Sequence, residues 1–569
     1  MKYIGIDIGD GESAITAVSE MGSLIPTVVP LGNVGSIRSV VGNLNDKPVV
    51  GDVVVLNASV TKRSARFKSR FLNDYASRED LRRFACGLYE LFRKAEKDSK
   101  LKIALGCPAE WPPEAREQYA AIVASAGFSG VYTVSESRAA FLYAHYCNEF
   151  NLSPELLKRP TLVIDIGSST LDYAYIVDGR EREVGVFGEK HLGGGILDEL
   201  ILEQAVNASP DRHRIEQTLE NSSSWKNYCE LQARKLKEQY FLAEDKYTIT
   251  PCSTVAPIYA DFHNPMSLKI SLSGATMEAV LDKPITELKG ISFREALRES
   301  LMRAKEITRE NPVELMIVTG GASRMKFFQE MCKDVFPDAM MALCEEPEYS
   351  IARGLGIAAR TDDLLQQFRA KVTAYFESGA IEMEVEQQLS HLLPEYIPAI
   401  AKIICEKAVL KAVLEFQGES SQLEAYIQKT IGSTLADSLQ TKEADALVNT
   451  WIGSCLSITQ DKLNHLCDEY HIDRTDMALV KIHTEVNTPD IRVPLILRVA
   501  AGCNRNKRLR SLFSRLLRFD LMTHQMRRRF VIQMLNNNDD FAAELTKKLV
   551  HELQSQIDEQ TRKVEIQIS

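Results

Sequence analysis

The sequence has no CxxC pair, no excess of basic residues and no uncharged apolar run of about 18 residues. Each absence excludes something. Eleven scattered cysteines, an odd number, suit neither a disulfide frame nor a zinc site and read as reduced, mostly buried small hydrophobes in a cytosolic protein. Without a long apolar run, no helix is expected to span a bilayer. Lys and Arg total 68 against 78 Asp and Glu, a net charge of −10, which argues against the whole chain being a nucleic-acid binder. The opening MKYIGIDIGDGESAI lacks a long apolar core followed by a small-residue cleavage site, so it reads as a buried strand and not as a signal peptide.

What is present is globular. Hydrophobic residues make up 45% and charged residues 26% of 569, enough for three or four domains at roughly 150 residues each. Up to about residue 360, short apolar runs such as YIGIDI (3–8), TLVIDI (161–166) and ELMIVTG (314–320) alternate with helical patterns and end in Gly-rich turns. Continuous apolar strands between helices indicate a sheet covered on both faces, an α/β architecture. From about Thr361 glycine thins out, and stretches such as AIAKIICEKAVLKAVLEF (399–416) carry helical periodicity. Pro394, Pro398, Pro489 and Pro494 are expected to break this half into bundles, and Val480 to Val499 could supply a strand or two. No internal repeat is visible.

Two segments share one design: IGIDIGDGES (4–13) and VIDIGSSTLDYAYI (163–176) each end a hydrophobic strand in Asp with Gly two residues on. A third, IVTGGASRM (317–325), ends its strand in a double Gly followed by Arg. Gly lets backbone N–H groups approach phosphate oxygens, and an Asp on such a turn can hold a hydrated Mg²⁺ or orient a water. One such turn carries little information. Two of them roughly 160 residues apart with a late Gly-Gly turn carry much more.

These segments resemble the actin-like ATPase superfamily, and specifically the nucleotide-binding domain of the seventy-kilodalton heat-shock chaperones. The two Asp turns resemble that family's phosphate loops and TGGASRM its adenosine loop. The strand, Pro-Ala turn and helix of 104–145, ending in SESRAA, and the turn HLGGG (191–195) follow in the family's order. The resemblance implies a two-lobed actin-like ATPase fold of duplicated mixed-sheet domains over 1–360, with lobe I about 1–160 and lobe II about 161–360. A mainly α-helical C-terminal domain over 361–569 would follow.

Carried over residue by residue, the resemblance makes Asp7 and Asp165 the holders of hydrated Mg²⁺ and Thr170 the hydroxyl near the γ-phosphate. Lys68 would position the attacking water, and Glu136 would be a carboxylate on the metal-water network. Gly9, Gly167, Ser168 and Ser169 would lie in the phosphate loops. Gly193, Gly194, Gly320 and Gly321 would close on ribose and α-phosphate, Arg324 would stack on adenine, Lys237 would wall the adenosine, and Glu348 stands before the helix that closes the pocket. Phosphoryl transfer needs mainly positioning and charge neutralisation, which acidic metal holders, one cation and backbone N–H groups supply. ATP, ADP and Mg²⁺ are the implied ligands. Plainer readings also stand: Lys68 as an exposed cation, Glu136 as a helix-start acid, Asp172 and Asp198 as structural or surface residues, and His191 as a turn residue.

The chain departs from the pattern at Asp10 and Gly11, where the family has two hydroxyl residues, and in Gly-Ser-Ser at 167–169, where it has three glycines. A carboxylate at Asp10 repels phosphate unless it helps hold the metal or turns outward, so ATP binding is expected and hydrolysis is expected to be slow. Arg234 stands where the family often has an acid. After residue 360 no set of short alternating strands resembles the chaperones' peptide clamp. The remaining signal is NRNKRLRSLFSRLLRF with MRRRF: nine Lys/Arg and one Asp between Arg505 and Arg529, with Leu509, Leu512, Phe513, Leu516 and Leu517 at helical spacing. This basic amphipathic segment suits intramolecular ion pairs, or an anionic membrane or acidic protein surface.

The leading expectation is a cytoplasmic, ATP-driven conformational switch acting on a protein partner or client through its helical C-terminal domain. The alternatives are an actin-like protein that forms filaments or docks at the inner face of a membrane, and a nucleotide-binding scaffold with little turnover. Nucleic acid is not expected as a partner.

Overall fold

A computed structural model gives the fold and describes residues 1–20, 25–98, 100–146, 159–177, 180–182, 188–261, 263–403, 442–470, 472–482 and 538–568, with a few single positions between them. The chain divides into two compact units, Met1–Asp363 and Leu364–Ile566.

The first unit is built twice on one plan. Strands β1 (Lys2–Ile8), β2 (Glu12–Ser19), β3 (Thr27–Val28) and β4 (Ser36–Arg38) precede a small three-stranded sheet of β5 (Val40–Leu44), β6 (Lys47–Val50) and β7 (Thr61–Ala65). β8 (Leu101–Cys107) and β9 (Val131–Ser135) then complete a sheet of order β3-β2-β1-β8-β9, with β4 also on β2. The second copy comprises β10 (Thr161–Ile166), β11 (Thr170–Val177), β12 (Arg180–Glu181) and β13 (Gly188–Lys190), then β16 (Leu315–Thr319) and β17 (Met340–Leu343). Its order is β12-β11-β10-β16-β17, with β13 on β11, and the hairpin β14 (Cys252–Ile258) and β15 (Met266–Leu272) stands apart.

In each copy the first strand is antiparallel to the second and parallel to the strand that follows a helical crossover. The hairpin turns match in detail: Gly9 N donates to Glu12 O, and Gly167 N to Thr170 O, both at 3.0 Å. The apolar runs read from the sequence are these central strands, buried on both faces as parallel strands require.

Each sheet has its own core, and a third apolar cluster joins them. It sets Tyr3 of β1, Val163 of β10 and Leu315 of β16 against Ala139 on the helix Glu136–Tyr146 and Leu355 on the helix Pro347–Glu377. The two helices cross so closely that a Cβ at Gly354 would collide with the Ala139 carbonyl. That crossing fixes Glu136 at the start of one helix and Glu348 at the start of the other.

The second unit is helical in its described residues, continuing the helix Pro347–Glu377 beyond Asp363 and adding Ala380–Ile403, Lys442–Tyr470 and Asn538–Ile568. Buried residues recur at three- and four-residue spacing, as in Ile381, Val385, Leu389, Leu392 and Tyr396, so amphipathic packing holds these helices. Pro394 and Pro398 do not break the chain here: both sit exposed inside Ala380–Ile403 while Leu392 and Tyr396 beside them are buried. Packing of the apolar face overrides the local rule that proline ends a helix. Among the described residues no helix is long and apolar enough to cross a membrane. The basic segment 505–530 lies outside the described residues apart from one position, as do residues 483–499 of the stretch read as strands.

Two glycines in helices have opposite surroundings. Gly354→Ala, which forces a methyl into the helix crossing, should lower the stability of the first unit by about 2–3 kcal/mol. Gly453, in Lys442–Tyr470, faces open space, and Gly453→Ala should stabilise the second unit by about 0.5–1 kcal/mol. Calorimetric unfolding of both variants checks the pair, and a neutral Gly354→Ala would contradict the close crossing.

Candidate functional site

The two Asp turns open onto one cleft in the first unit, a cavity of about 900 Å³. Asp7 closes β1 and Asp165 closes β10, each at the strand end where the chain turns at Gly9 or Gly167. Lys68 enters from the loop after β7, buried to 6% exposure, which removes its plainer reading as a surface cation. Its ammonium is ion-paired with Glu136, stands 3.9 Å from Asp7 Oδ1 and lies 5.9 Å from the Tyr119 ring centroid.

Electrostatics single out the same group. Burial pushes Asp7 up to about 7, with Lys68 pulling it down and Glu136 pushing it further up. Burial and the neighbouring Glu136, Asp172 and Asp7 raise Asp165 well above the carboxylate range. Burial works against the charge on Lys68, yet Glu136, Tyr119 and Asp7 outweigh it and hold the ammonium above the lysine range. Several carboxylates converge where a single lysine supplies the positive charge closest to them.

Gly9, Ser168, Ser169 and Thr170, expected in phosphate loops, line the cavity, and the Ser169 hydroxyl is buried without a hydrogen-bond partner. Gly194 and Gly195 donate their N–H groups to the carbonyls of Gly167 and Ser168, at 3.0 and 2.6 Å, and so brace that loop from behind. Gly193 is packed on the Ser168–Ser169 backbone, away from the cavity lining on which Gly194 appears. Lys237 donates to the Gly194 carbonyl and pairs with buried Asp198 at 2.6 Å. Gly320 adopts φ +85°, and a Cβ there would run into the Asp165 carboxylate. Gly321 also lines the cavity, and Arg324 pairs with Glu348 at 2.7 Å.

Asp10 does not turn out to solvent. Its Oδ1 accepts from Lys68 N at 2.9 Å and Ser69 N at 3.2 Å, and its Oδ2 from Ser69 N at 3.1 Å.

Sequence reading undervalued four residues. Asp172 lines the cavity opposite Asp165 in the β10–β11 register, accepts from Thr170 Oγ1 at 2.6 Å and is pushed up to about 7 by burial. The two-residue spacing from Thr170 already placed it on the same strand face. Asp198, read as surface or structural, is buried beneath Lys237. Tyr119 and Arg66 had no local signal. Arg66, at φ +54°, reaches across the cleft to the Gly195 carbonyl at 2.7 Å and pairs with Glu199 and Glu230.

Part of the chain is similar to known proteins. Residues 93–363 match the family described as Hsp70 protein. Over these residues the N-terminal unit is similar to Hsp70 proteins. Its relatives include the chaperone protein DnaK of Thermosipho melanesiensis, 22% identical over 376 residues, which are 63% of this chain and 58% of that protein. A heat shock cognate HSP70 protein of Trypanosoma brucei brucei is 28% identical over 201 residues, 35% of this chain and 27% of that protein. The chaperone protein dnaK1 of a Synechocystis species is 24% identical over 242 residues, 41% of this chain and 31% of that protein. The chain thus spans under two thirds of these relatives' own lengths. The Hsp70-type match ends at Asp363.

A raised carboxylate has a readable cost. Asp172 goes from an ordinary 3.8 to about 7, so the native state keeps a proton that the unfolded chain loses from about pH 4 upward. That contribution to stability is present below pH 4 and is lost as pH rises through 7. Asp172→Asn should therefore match the parent at about pH 4 and become progressively more heat-stable than it towards pH 8. Melting curves without nucleotide check this, and a parallel pH dependence of the two proteins would contradict the buried setting of Asp172.

Proposed function

We propose that the first unit binds ATP with Mg²⁺ between its two lobes and hydrolyses it to ADP and phosphate, and that this cycle drives an Hsp70-like chaperone switch. The observation that carries the proposal is the ammonium of Lys68 held between Glu136 and Asp7 where the two matching strand turns meet. A buried cation beside carboxylates and Gly-rich turns suits a polyphosphate, whose charge such a site must neutralise.

The residues fit a hydrated magnesium ion. The donors are hard carboxylate oxygens, one lysine offsets only part of their burial, and among the described residues no three acidic, His or Cys groups gather into an all-protein cage. An ion that keeps several waters and takes one or two carboxylates matches that set. When bound, Mg²⁺ would be held through Asp7 and Asp165 and would offset phosphate charge.

The chain's own groups do the rest. Lys68 supplies the fixed cation and a donor for the attacking water. Asp172, oriented by Thr170 and held near neutrality, can accept that water's proton at its free carboxylate oxygen. Ser169 offers an unpartnered hydroxyl to a phosphate oxygen. Lys237, Gly320, Gly321 and the Arg324–Glu348 pair would form the adenosine end. A protein partner or client of the helical second unit is the proposed recipient of the switch, and a cytoplasmic setting goes with it.

Turnover with Mg²⁺ and ATP tests the reading. Lys68→Ala should lower kcat by about 10²-fold or more while the dissociation constant for ATP changes by only about threefold, since the lysine acts on the reacting centre. Unaltered kcat in that variant would sink the assignment.

A further inference from the structure

We propose that Asp10 is a positioning residue for Lys68, setting where the lysine's backbone starts and so where its ammonium ends; this rests on the ATPase reading above. Asp10 is 9% exposed, and its carboxylate bridges 58 residues of sequence to reach the loop that carries Lys68. Both its oxygens accept from that loop, Oδ1 from the N–H groups of Lys68 and Ser69 and Oδ2 from Ser69.

The loop needs such a tie. Arg66, two residues before Lys68, holds φ +54°, a conformation costing a non-glycine residue of order 1 kcal/mol that persists only where surroundings enforce it. Three anchors enforce it. Arg66 is fixed from the second lobe by Glu199, Glu230 and the Gly195 carbonyl. Phe71, packed on Trp111 with ring centroids 5.1 Å apart, holds the loop's far side and donates its N–H to the Lys68 carbonyl at 3.1 Å. Asp10 holds the middle, at the two amides on either side of which the lysine must be aimed.

The side chain then has only its own length to reach Glu136 and Asp7. Misplacing a catalytic group by about 1 Å can cost 10²-fold in rate, so a tie at its Cα acts on catalysis without touching substrate. This account also explains how an acid is tolerated in a phosphate-facing turn. Its charge is spent on backbone N–H groups, which form charge-assisted hydrogen bonds.

The role and a metal-holding or charge role separate by substitution. Asparagine keeps at the Oδ1 place a carbonyl oxygen that accepts from both amides, loses the Oδ2 bond to Ser69 N and has no charge to offer a cation; alanine keeps no acceptor. In the full-length protein without nucleotide, the amides of Lys68 and Ser69 should exchange with deuterium at least about tenfold faster in Asp10→Ala than in the parent, with Asp10→Asn close to the parent. Lys68, protected from acetic anhydride in the parent, should become acylated in Asp10→Ala. With Mg²⁺ and ATP, Asp10→Ala should lower kcat about tenfold with KM moving less than about threefold, and Asp10→Asn should restore most of it. In a Lys68→Ala background Asp10→Ala should cost nothing further, because the group it positions is gone.

Should Asp10→Ala not fold, Asp10→Ser, whose shorter hydroxyl falls back from the loop, takes its place. Asp10→Asn as impaired as Asp10→Ala, a raised Mg²⁺ requirement in Asp10→Asn, or full additivity with Lys68→Ala would overturn the proposal. A parent protein without ATP turnover would refute the ATPase reading, and the exchange and acylation results would still decide whether Asp10 sets Lys68.

Discussion

An ammonium out of water costs several kcal/mol unless opposite charge and hydrogen bonds surround it, and the first unit is arranged around one such group. Lys68 lies almost fully buried between Glu136 at the start of a helix and Asp7 at the end of a strand. Glu136 is held by the helix crossing at Gly354 and Ala139, Asp7 by pairing of β1 on both sides. The lysine itself hangs from a loop that both lobes hold, through Asp10 on one side and Glu199 and Glu230 on the other. Removing any of these supports should shift a charge, and the proposed site, which would neutralise phosphate, depends on charge position above all.

The duplication explains why the cleft sits where it does. Two sheets with the same order each end their first strand in an aspartate, and a shared apolar cluster brings the strand ends together. Asp7 is then near enough to Asp165 in one cavity to raise its proton affinity. Carboxylates held this way favour a cation between them, which is the basis for the proposed Mg²⁺.

Local features made much of this legible in the sequence. The apolar strands, the Asp-x-Gly turns and the Gly-Gly turn are short-range patterns, and the residues that carry them line the cleft, with Gly193 set behind it. What escaped is what requires distant residues to meet. Asp10 looked like a carboxylate aimed at phosphate because its amide partners lie 58 residues away. Asp172 looked structural because only the β10–β11 register sets it opposite Asp165. Arg66 and Tyr119 have no motif and acquire meaning only through the cleft that Arg66 borders and the Lys68 ammonium that lies over the Tyr119 ring. Pro394 and Pro398 misled for the opposite reason: a local rule was applied where a buried helix face decides the outcome.

The central claim, one Mg²⁺-nucleotide site made by both lobes, is most directly tested by titrating ATP into the full-length protein in a calorimeter, with Mg²⁺ and then with EDTA. The account predicts a single site per chain, bound at least about tenfold more tightly with Mg²⁺ because the buried carboxylates otherwise repel the phosphates. No binding, or equal affinity with and without the metal, would contradict it.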